Sequence, residues 1–163
     1  MTGWVNDSFH ELQGRVYADS DFAGCEQSSR STSGIHTCLL GKNTYFPLSG
    51  QSKRQGCISQ STTEAELVAA SLALRTNGLP LASILEHLNQ DQKGKTTNIV
   101  HCVDNQAMME VIRTGRNPTM RQLGRVHGVG IGFMHEQFSK PTTNRPGGSG
   151  TANGICVVLS DVG

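Results

Sequence analysis

The sequence predicts an α/β fold in which a mixed sheet of four or five strands carries flanking helices. Three observations predict it: strand-like apolar runs open the chain, a strongly capped helix follows at Ser61, and the apolar run 98–103 passes directly into a helical segment. A strand that turns at once into a helix is typical of α/β layers. With 163 residues the chain is long enough to form one domain with a core of its own.

Three consecutive strands are expected to form an antiparallel meander in the N-terminal third. The run 14–19 is a short strand that ends in an acid, and the runs 34–40 and 43–48 are separated by a Gly-Lys pair, which is a hairpin signal. Pro47 lacks a backbone donor. The third strand is therefore expected at a sheet edge, or with a bulge at this proline.

The clearest helix start in the chain lies at Ser61. A hydroxyl at this position, with Glu64 three residues later, forms a capping-box pattern for the open backbone N–H groups. Apolar residues then recur at helical spacing as far as Leu88, with an interruption by Gly-Leu-Pro at 78–80. This pattern predicts two helical pieces or one kinked helix.

The second half of the chain continues the alternation of strands and helices. A buried strand is expected at 98–103 and a helix at 107–115. A weaker helix is expected at 120–138, because it carries four glycines that each cost about 1 kcal/mol relative to alanine. The segment 140–154 is rich in Pro, Thr, Gly and Asn, which is typical of a flexible loop, and 154–159 is a candidate last strand.

Composition limits the environment of the protein more than its function. The net charge of +1 does not by itself indicate a nucleic-acid-binding protein, and no apolar run is long enough to span a membrane. The N-terminus lacks the pattern of a signal peptide. The cysteines are odd in number, and none forms a C-x-x-C pair, so neither a disulfide partner nor a zinc ribbon is expected. We therefore expect no membrane partner and a reducing, intracellular setting.

Three acids occupy positions from which their side chains can converge. Asp19 ends the first strand, Glu66 lies in the first turns of the capped helix, and Asp104 follows the fourth strand. Mg²⁺ prefers oxygen ligands, and a pair of metal ions can assist phosphodiester hydrolysis. Each acid also has a structural interpretation: Asp104 as a helix N-cap, Glu66 as a partner of the helix dipole, and Asp19 as a turn residue. Spacing alone leaves both interpretations open.

Four segments resemble the ribonuclease H domain of copia-type retrotransposons. YADSDFAGCEQSSRSTSG (17–34) and SKRQGCISQSTTEAELVAASLA (52–73) are close matches, HCVDNQAMMEVI (101–112) is a third match, and 117–138 is a looser one. The resemblance implies a ribonuclease H-like fold. It also implies hydrolysis of the RNA strand of RNA–DNA hybrids, leaving a 3′-hydroxyl, during reverse transcription.

The catalytic acids that the resemblance implies are Asp19, Glu66 and Asp104, which would hold two Mg²⁺ or Mn²⁺ ions. Asp21 is then a neighbour of the first acid. Helix geometry supports the choice of Glu66 over Glu64 independently. Residues two apart lie about 200° apart around a helix, so only one of them can face the strand ends. Glu64 already belongs to the capping box.

The fourth acid implied by the resemblance is missing from the sequence. The family pattern has an aspartate in an Ala-Asp pair after the last strand, and this chain has no such pair. Asp161 is a poor candidate for a fourth metal ligand. We therefore expect the C-terminal part of the fold to be incomplete, or the segment from Lys140 onward to come from a shifted reading frame. A degenerate, inactive domain that at most binds nucleic acid is the alternative function.

Several other side chains are candidates for contact with a nucleic acid. Because recognition of a hybrid depends on its shape and on the 2′-hydroxyl, we expect backbone contacts from a small set of basic and polar residues, namely Lys53, Arg54, Gln60 and Asn105. His127 is either a proton-transfer aid near the acids or an exposed histidine in a glycine-rich segment.

The resemblance also predicts how the chain is organised. Residues 1–13 are expected to be a leader that connects to an upstream reverse transcriptase domain of the same polyprotein. Residues 14–138 are expected to form the ribonuclease H-like domain, and 139–163 a flexible tail that contains the candidate last strand. The expected location is the cytoplasm, within a virus-like particle, or the nucleus.

Overall fold

Five strands form a single sheet in the part of the chain that the structure describes. The computed structural model describes residues 4–8, 11–88, 98–120, 122–139 and 156–161. The strands are β1 (Gln13–Asp21), β2 (Thr32–Leu40), β3 (Tyr45–Arg54), β4 (Asn98–Val103) and β5 (Cys156–Asp161). They are arranged in the order β3-β2-β1-β4-β5, with helices packed against them. The predicted α/β class, a mixed sheet of four or five strands with flanking helices, is confirmed.

The first three strands form the predicted antiparallel meander, and the last two strands are parallel to their neighbours. β2 pairs antiparallel with both β1 and β3, whereas β4 lies parallel to β1 and β5 parallel to β4. The prediction for Pro47 is confirmed, because β3 lies at the sheet edge and its register shifts opposite Thr37 and Cys38. Two strands extend beyond their predicted C-terminal ends: β1 continues to Asp21, and β3 continues to Arg54.

The long helical region is continuous, with a wide turn at its centre. Helix α1 (Thr62–Ala73) passes through a π-helical turn (Leu74–Gly78) into α2 (Leu79–Leu88). The sequence predicted a kink or a break here. Pro80 has no backbone N–H to donate to the helical ladder. The π turn ends just before it, where the backbone N–H of Leu79 donates to the carbonyl of Leu74. The span Thr62–Leu88 is long and apolar enough to cross a membrane by length and composition alone, and half of its most apolar window is buried in the protein.

The C-terminal helices are shorter than the sequence predicted. Helix α3 (Gln106–Thr114) ends at Gly115, whose φ of 68° closes the helix in the left-handed conformation. The prediction of a single helix at 120–138 is wrong. In its place the chain forms α4 (Leu123–Val126) and α5 (Ile131–Ser139), and Gly128 lies between them with a φ of 67°. A left-handed glycine ends one helix and redirects the chain into the next.

The core forms where α1 covers the sheet. Val16 of β1, Leu67 of α1 and Ile99 of β4 are fully buried in it. His101 of β4 is also fully buried, and its ring lies edge-on to Phe138 of α5 with 5.5 Å between the ring centroids.

Free thiols are present at Cys25, Cys38, Cys57 and Cys102. Cys38 and Cys102 lie inside strands and are 0% and 1% exposed. Both therefore act as small hydrophobic residues, as their strand positions predicted.

Candidate metal centre

Three carboxylates converge at one edge of the sheet. Tyr17 of β1 pairs with Cys102 of β4 in a parallel register, and Asp19 and Asp104 each lie two residues beyond that pair. Parallel neighbours end at the same edge, and α1 brings Glu66 over this edge. One carboxylate oxygen from each of the three acids lies within 4.8 Å of those of the other two.

Glu66 faces the strand ends and Glu64 faces away from them, as the helix geometry predicted. Glu66 is 5% exposed. Glu64 belongs to the helix start, where its Oε2 accepts a hydrogen bond from the backbone N–H of Gln60 at 2.8 Å. Its own backbone N–H donates to Ser61 Oγ at 3.2 Å. The two glutamates therefore have separate roles, one in the acid cluster and one in the cap.

Asp104 is free of the capping role that its position also allowed. The N-cap of α3 is Asn105, whose Oδ1 accepts a hydrogen bond from the backbone N–H of Met108 at 2.9 Å. The interpretation of Asp104 as the N-cap is therefore wrong. Its exposed side chain lies at the end of β4 and contributes an oxygen to the cluster.

The cluster perturbs the ionisation of its buried member. Burial, together with the neighbouring charges of Asp19 and Asp104, raises the pKa of Glu66 to about 7. The hydroxyl of Ser20 opposes this rise, because it donates a hydrogen bond to Glu66 Oε1 at 2.9 Å. Ser20 follows Asp19 in the sequence and no sequence motif singled it out. The alternation of β1 is the signal that places its side chain on the same face as the core residues Val16 and Ala18.

A divalent cation fits the residues that form this site. Its donors are carboxylate oxygens, which Mg²⁺ and Mn²⁺ prefer. Burial is the main cause of the raised pKa of Glu66, and the charges of Asp19 and Asp104 add to it, so a counter-charge would favour the ionised form of this glutamate. A cation held between Asp19, Glu66 and Asp104 would supply that charge.

Asp161 does not belong to this cluster. It ends β5, where its backbone pairs with Val103, and its Oδ2 accepts a hydrogen bond from Gln106 Nε2 at 3.4 Å. The described acids whose oxygens converge are the three named above. The structure therefore does not bring Asp161 to the position that a fourth ligand would need.

The predicted nucleic-acid contacts are not members of the acid cluster. Lys53 and Arg54 are exposed at the end of β3, and Gln60 is exposed just before α1. Asn105 uses its side-chain oxygen as the N-cap of α3.

His127 has a partner that the sequence did not predict. Its side chain is 2% exposed, and Nε2 lies 3.1 Å from Glu64 Oε1. The expectation of an exposed histidine is therefore wrong, and its contact is with the capping glutamate rather than with the acid cluster. The contact joins the loop after α4 to the start of α1.

Comparisons with known proteins give partial likenesses. No family model matches the chain. An uncharacterized mitochondrial protein of Arabidopsis thaliana is 42% identical over 62 residues, which cover 38% of this chain and 24% of that protein. The chain therefore matches about a quarter of the length of this relative. Ribonuclease H1 from the halophilic archaeon Halobacterium salinarum superposes with a TM-score of 0.43 and 9% identity, over 92% of this chain and 86% of the archaeal one.

Proposed function

We propose that this protein is a metal-dependent endonuclease that hydrolyses the RNA strand of RNA–DNA hybrids during retrotransposon reverse transcription. The observation that carries the proposal is the convergence of Asp19, Glu66 and Asp104 within 4.8 Å of one another. The sequence resemblance to copia-type ribonuclease H supports the reaction and the substrate. It also supports an upstream reverse transcriptase domain as the partner within one polyprotein.

In this proposal the three carboxylates hold the cations and orient the cut strand. Two Mg²⁺ or Mn²⁺ ions bound there would supply charge stabilisation for the attacking water and for the leaving oxygen. Asp19 and Asp104 are exposed and face the substrate side, whereas Glu66 is buried and fixed by the Ser20 hydroxyl.

A second candidate function is nucleic-acid binding without cleavage. The observation that favours it is the position of Asp161, which pairs with Gln106 and does not join the cluster. A site with one carboxylate fewer binds cations more weakly. In that case the domain would bind a hybrid and leave it intact.

Cleavage of a labelled RNA–DNA hybrid in Mg²⁺ or Mn²⁺ separates the two functions. The matched variants are Asp19→Asn and Asp104→Asn, and the control is Asp21→Asn, which removes an exposed acid of the same strand outside the cluster. Loss of a metal ligand is expected to lower the cleavage rate by roughly a hundredfold or more. Changes to residues that only hydrogen-bond to a metal ligand already cost about tenfold to a hundredfold. The control is expected to retain the rate of the unmodified chain.

The products and substrates test the proposal further. We expect cuts in the RNA strand with 3′-hydroxyl ends, and no cuts in a DNA duplex of the same sequence. Cleavage that persists in Asp19→Asn and Asp104→Asn would reject this site. Intact hybrid after incubation with the unmodified chain, together with measurable hybrid binding, would establish the second function.

A further inference from the structure

A row of rings crosses three strands on the face of the sheet opposite to α1, α2 and α5. Helix α1 contacts the sheet at Ser20, and leucines of α2 lie against Gly14. Phe138 of α5 lies against His101, which pairs with Val16 in the sheet. Because side chains alternate between the two faces of a strand, these three helices lie on the face of the even-numbered residues of β1. The opposite face carries the odd-numbered residues.

The row consists of Tyr17 on β1, His36 on β2 and Tyr45 on β3, and we call it the ring row. Tyr17 is paired directly with His36, and their ring centroids are 6.1 Å apart. The ring planes of His36 and Tyr45 differ by 26°, with 6.5 Å between the centroids. His36 Nε2 lies 3.0 Å from the Tyr45 hydroxyl. A hydrogen bond between the rims of two nearly parallel rings sets them side by side, so neither ring covers the face of the other.

The rings are held in place on the sheet but still reach solvent. Tyr45 is 61% exposed, and Tyr17 and His36 are half-buried. Cys38 and Cys102 lie on the same face of the sheet, and both are buried. The row is therefore the accessible aromatic part of this face. Side chains that are already ordered lose little conformational freedom when a flat ligand lies on them.

Arg15 places a positive charge at one end of the ring row. It precedes Tyr17 by two residues on the same face of β1, and its Nε donates to Gln13 Oε1 at 3.2 Å. A hydrogen bond with Tyr17 raises the pKa of this arginine. Within the described residues Arg15 forms no ion pair with an acid. Asp19 and Asp21 lie on the same face, but at the other end of β1.

Accessible rings beside an unpaired arginine suit a single-stranded nucleic acid. Each base has flat faces that stack on aromatic side chains, and some RNA-binding modules present such rings on the face of a sheet. A guanidinium next to the rings can contact the phosphates between the bases. A duplex suits the row less well, because its bases already stack on one another.

We propose that the ring row, together with Arg15, binds the bases of single-stranded RNA or DNA. The proposal does not rest on the nuclease activity, because neither the carboxylates nor a cation takes part in it. The two sites are neighbours, since Tyr17 lies two residues, roughly 7 Å, from Asp19 along the same face of β1. In a chain that cuts hybrids, the ring row would receive an unpaired stretch next to the cut strand.

Binding of short labelled oligonucleotides in the presence of a metal chelator tests this proposal. Fluorescence anisotropy with oligouridine RNA and oligothymidine DNA gives the Kd of the unmodified chain, Tyr45→Ala and Tyr45→Phe. The matched control is Phe133→Ala, which removes a ring of 41% exposure from α5. We expect Tyr45→Ala to weaken binding about five- to a hundredfold, the range for the loss of one base stack. Tyr45→Phe keeps the ring, so it and the control are expected to keep the affinity of the unmodified chain.

Abasic oligonucleotides separate stacking from charge. They retain the phosphates but lack the bases, so we expect them to bind the unmodified chain more weakly than intact strands do. Tyr45→Ala is expected to cause no further loss with the abasic strand. Arg15→Gln is expected to reduce the salt slope of the intact strand by about 0.7, the value for one phosphate contact in a single strand. Equal binding of abasic and intact strands, or equal weakening by Tyr45→Ala and Tyr45→Phe, would overturn the proposal.

NMR signals of the rings give a measurement on the unmodified chain that needs no variant. We expect the ring signals of Tyr17, His36 and Tyr45 to shift together when a single strand is added. Ring signals that do not shift, or that a blunt duplex shifts as much as a single strand, would overturn the proposal. A dimer in solution that Tyr45→Ala dissociates would overturn it as well, because this face would then bind a second copy of the chain.

Discussion

Glu66 and His101 are buried ionisable side chains that lie in two different regions of the protein. Glu66 lies at the edge of the sheet beside Asp19 and Asp104, and burial raises its pKa to about 7. His101 lies under α5 in the core, and burial lowers its pKa to about 4. In both regions the protein interior disfavours the charged form, so the acid holds its proton and the histidine releases it.

The difference between the two regions is in their partners. Glu66 accepts a hydrogen bond from Ser20 and faces two further carboxylates, so a cation can bind there and restore its charge. Among the described residues, neither ring nitrogen of His101 has a hydrogen-bond partner, and its ring packs against Phe138. A buried group with a shifted pKa indicates a functional site when its neighbours could bind the same ligand. A buried group that packs against an aromatic ring indicates a structural role in the core.

The largest expected effect is the removal of the charge from Glu66. The glutamate has a folded pKa of about 7 against 4.5 in the unfolded chain, so the folded state loses stability as pH rises from 4.5 through 7. Glu66→Gln removes the ionisable group and therefore removes this pH-dependent loss of stability. At pH 8 without divalent ions we expect its free energy of unfolding to exceed that of the unmodified chain by up to about 3 kcal/mol, as measured by urea denaturation.

The effect of divalent ions on the melting temperature complements this measurement. Mg²⁺ at pH 8 is expected to raise the melting temperature of the unmodified chain, because it binds the folded state, and to raise that of Glu66→Gln much less. An equal rise in both proteins would contradict a metal site at Glu66.

A smaller effect is expected from the replacement of His101 by an apolar residue. The folded pKa of His101, about 4, lies below the unfolded value of 6.5, so its cost to folding appears as pH falls from 6.5 through 4. His101→Leu removes two buried nitrogens without partners. We expect it to raise the free energy of unfolding by about 1–3 kcal/mol at pH 7, and by more at pH 5.

Denaturation curves at several pH values check this prediction, and His36→Leu on strand β2 is the control, because His36 is not buried. A His101→Leu protein that is less stable than the unmodified chain at every pH would show that the imidazole has favourable contacts in the core.

The smallest expected effect distinguishes the contribution of burial to the pKa of Glu66 from that of hydrogen bonding. Ser20→Ala removes the hydroxyl that stabilises the charged form of Glu66. We expect the pKa of Glu66 to rise by about one unit or less, since one such hydrogen bond contributes about 1 kcal/mol. Carboxyl chemical shifts in an NMR titration measure this change, and a pKa that falls in Ser20→Ala would contradict the contact.

The sequence predicted a large part of the fold and of the site. The capping box at Ser61, the hairpin before Pro47 and the direct passage of β4 into α3 are local signals, and each produced an element where it was expected. Long helices broken by glycine were predicted less well. The sequence did not show that Gly128 adopts a left-handed conformation and divides α4 from α5, because this depends on how the loop packs.

The polar half of β3 was missed for a related reason. Residues 49–54 carry mostly polar side chains and are exposed, so no alternation of apolar residues marks them as a strand. Residues 49–54 are part of a strand because their backbone forms hydrogen bonds with β2.

By itself the sequence predicted which acids converge, because the motifs and the 200° separation of Glu64 and Glu66 are properties of the chain alone. Only the tertiary structure decided which roles the neighbours take. Asn105 rather than Asp104 caps α3, Ser20 holds Glu66, and His127 contacts Glu64. These contacts join residues that are up to 63 positions apart, as in the pair of Glu64 and His127. The pairs Ser20–Glu66 and Glu64–His127 form when the sheet and helices pack, and no local pattern of residues records them.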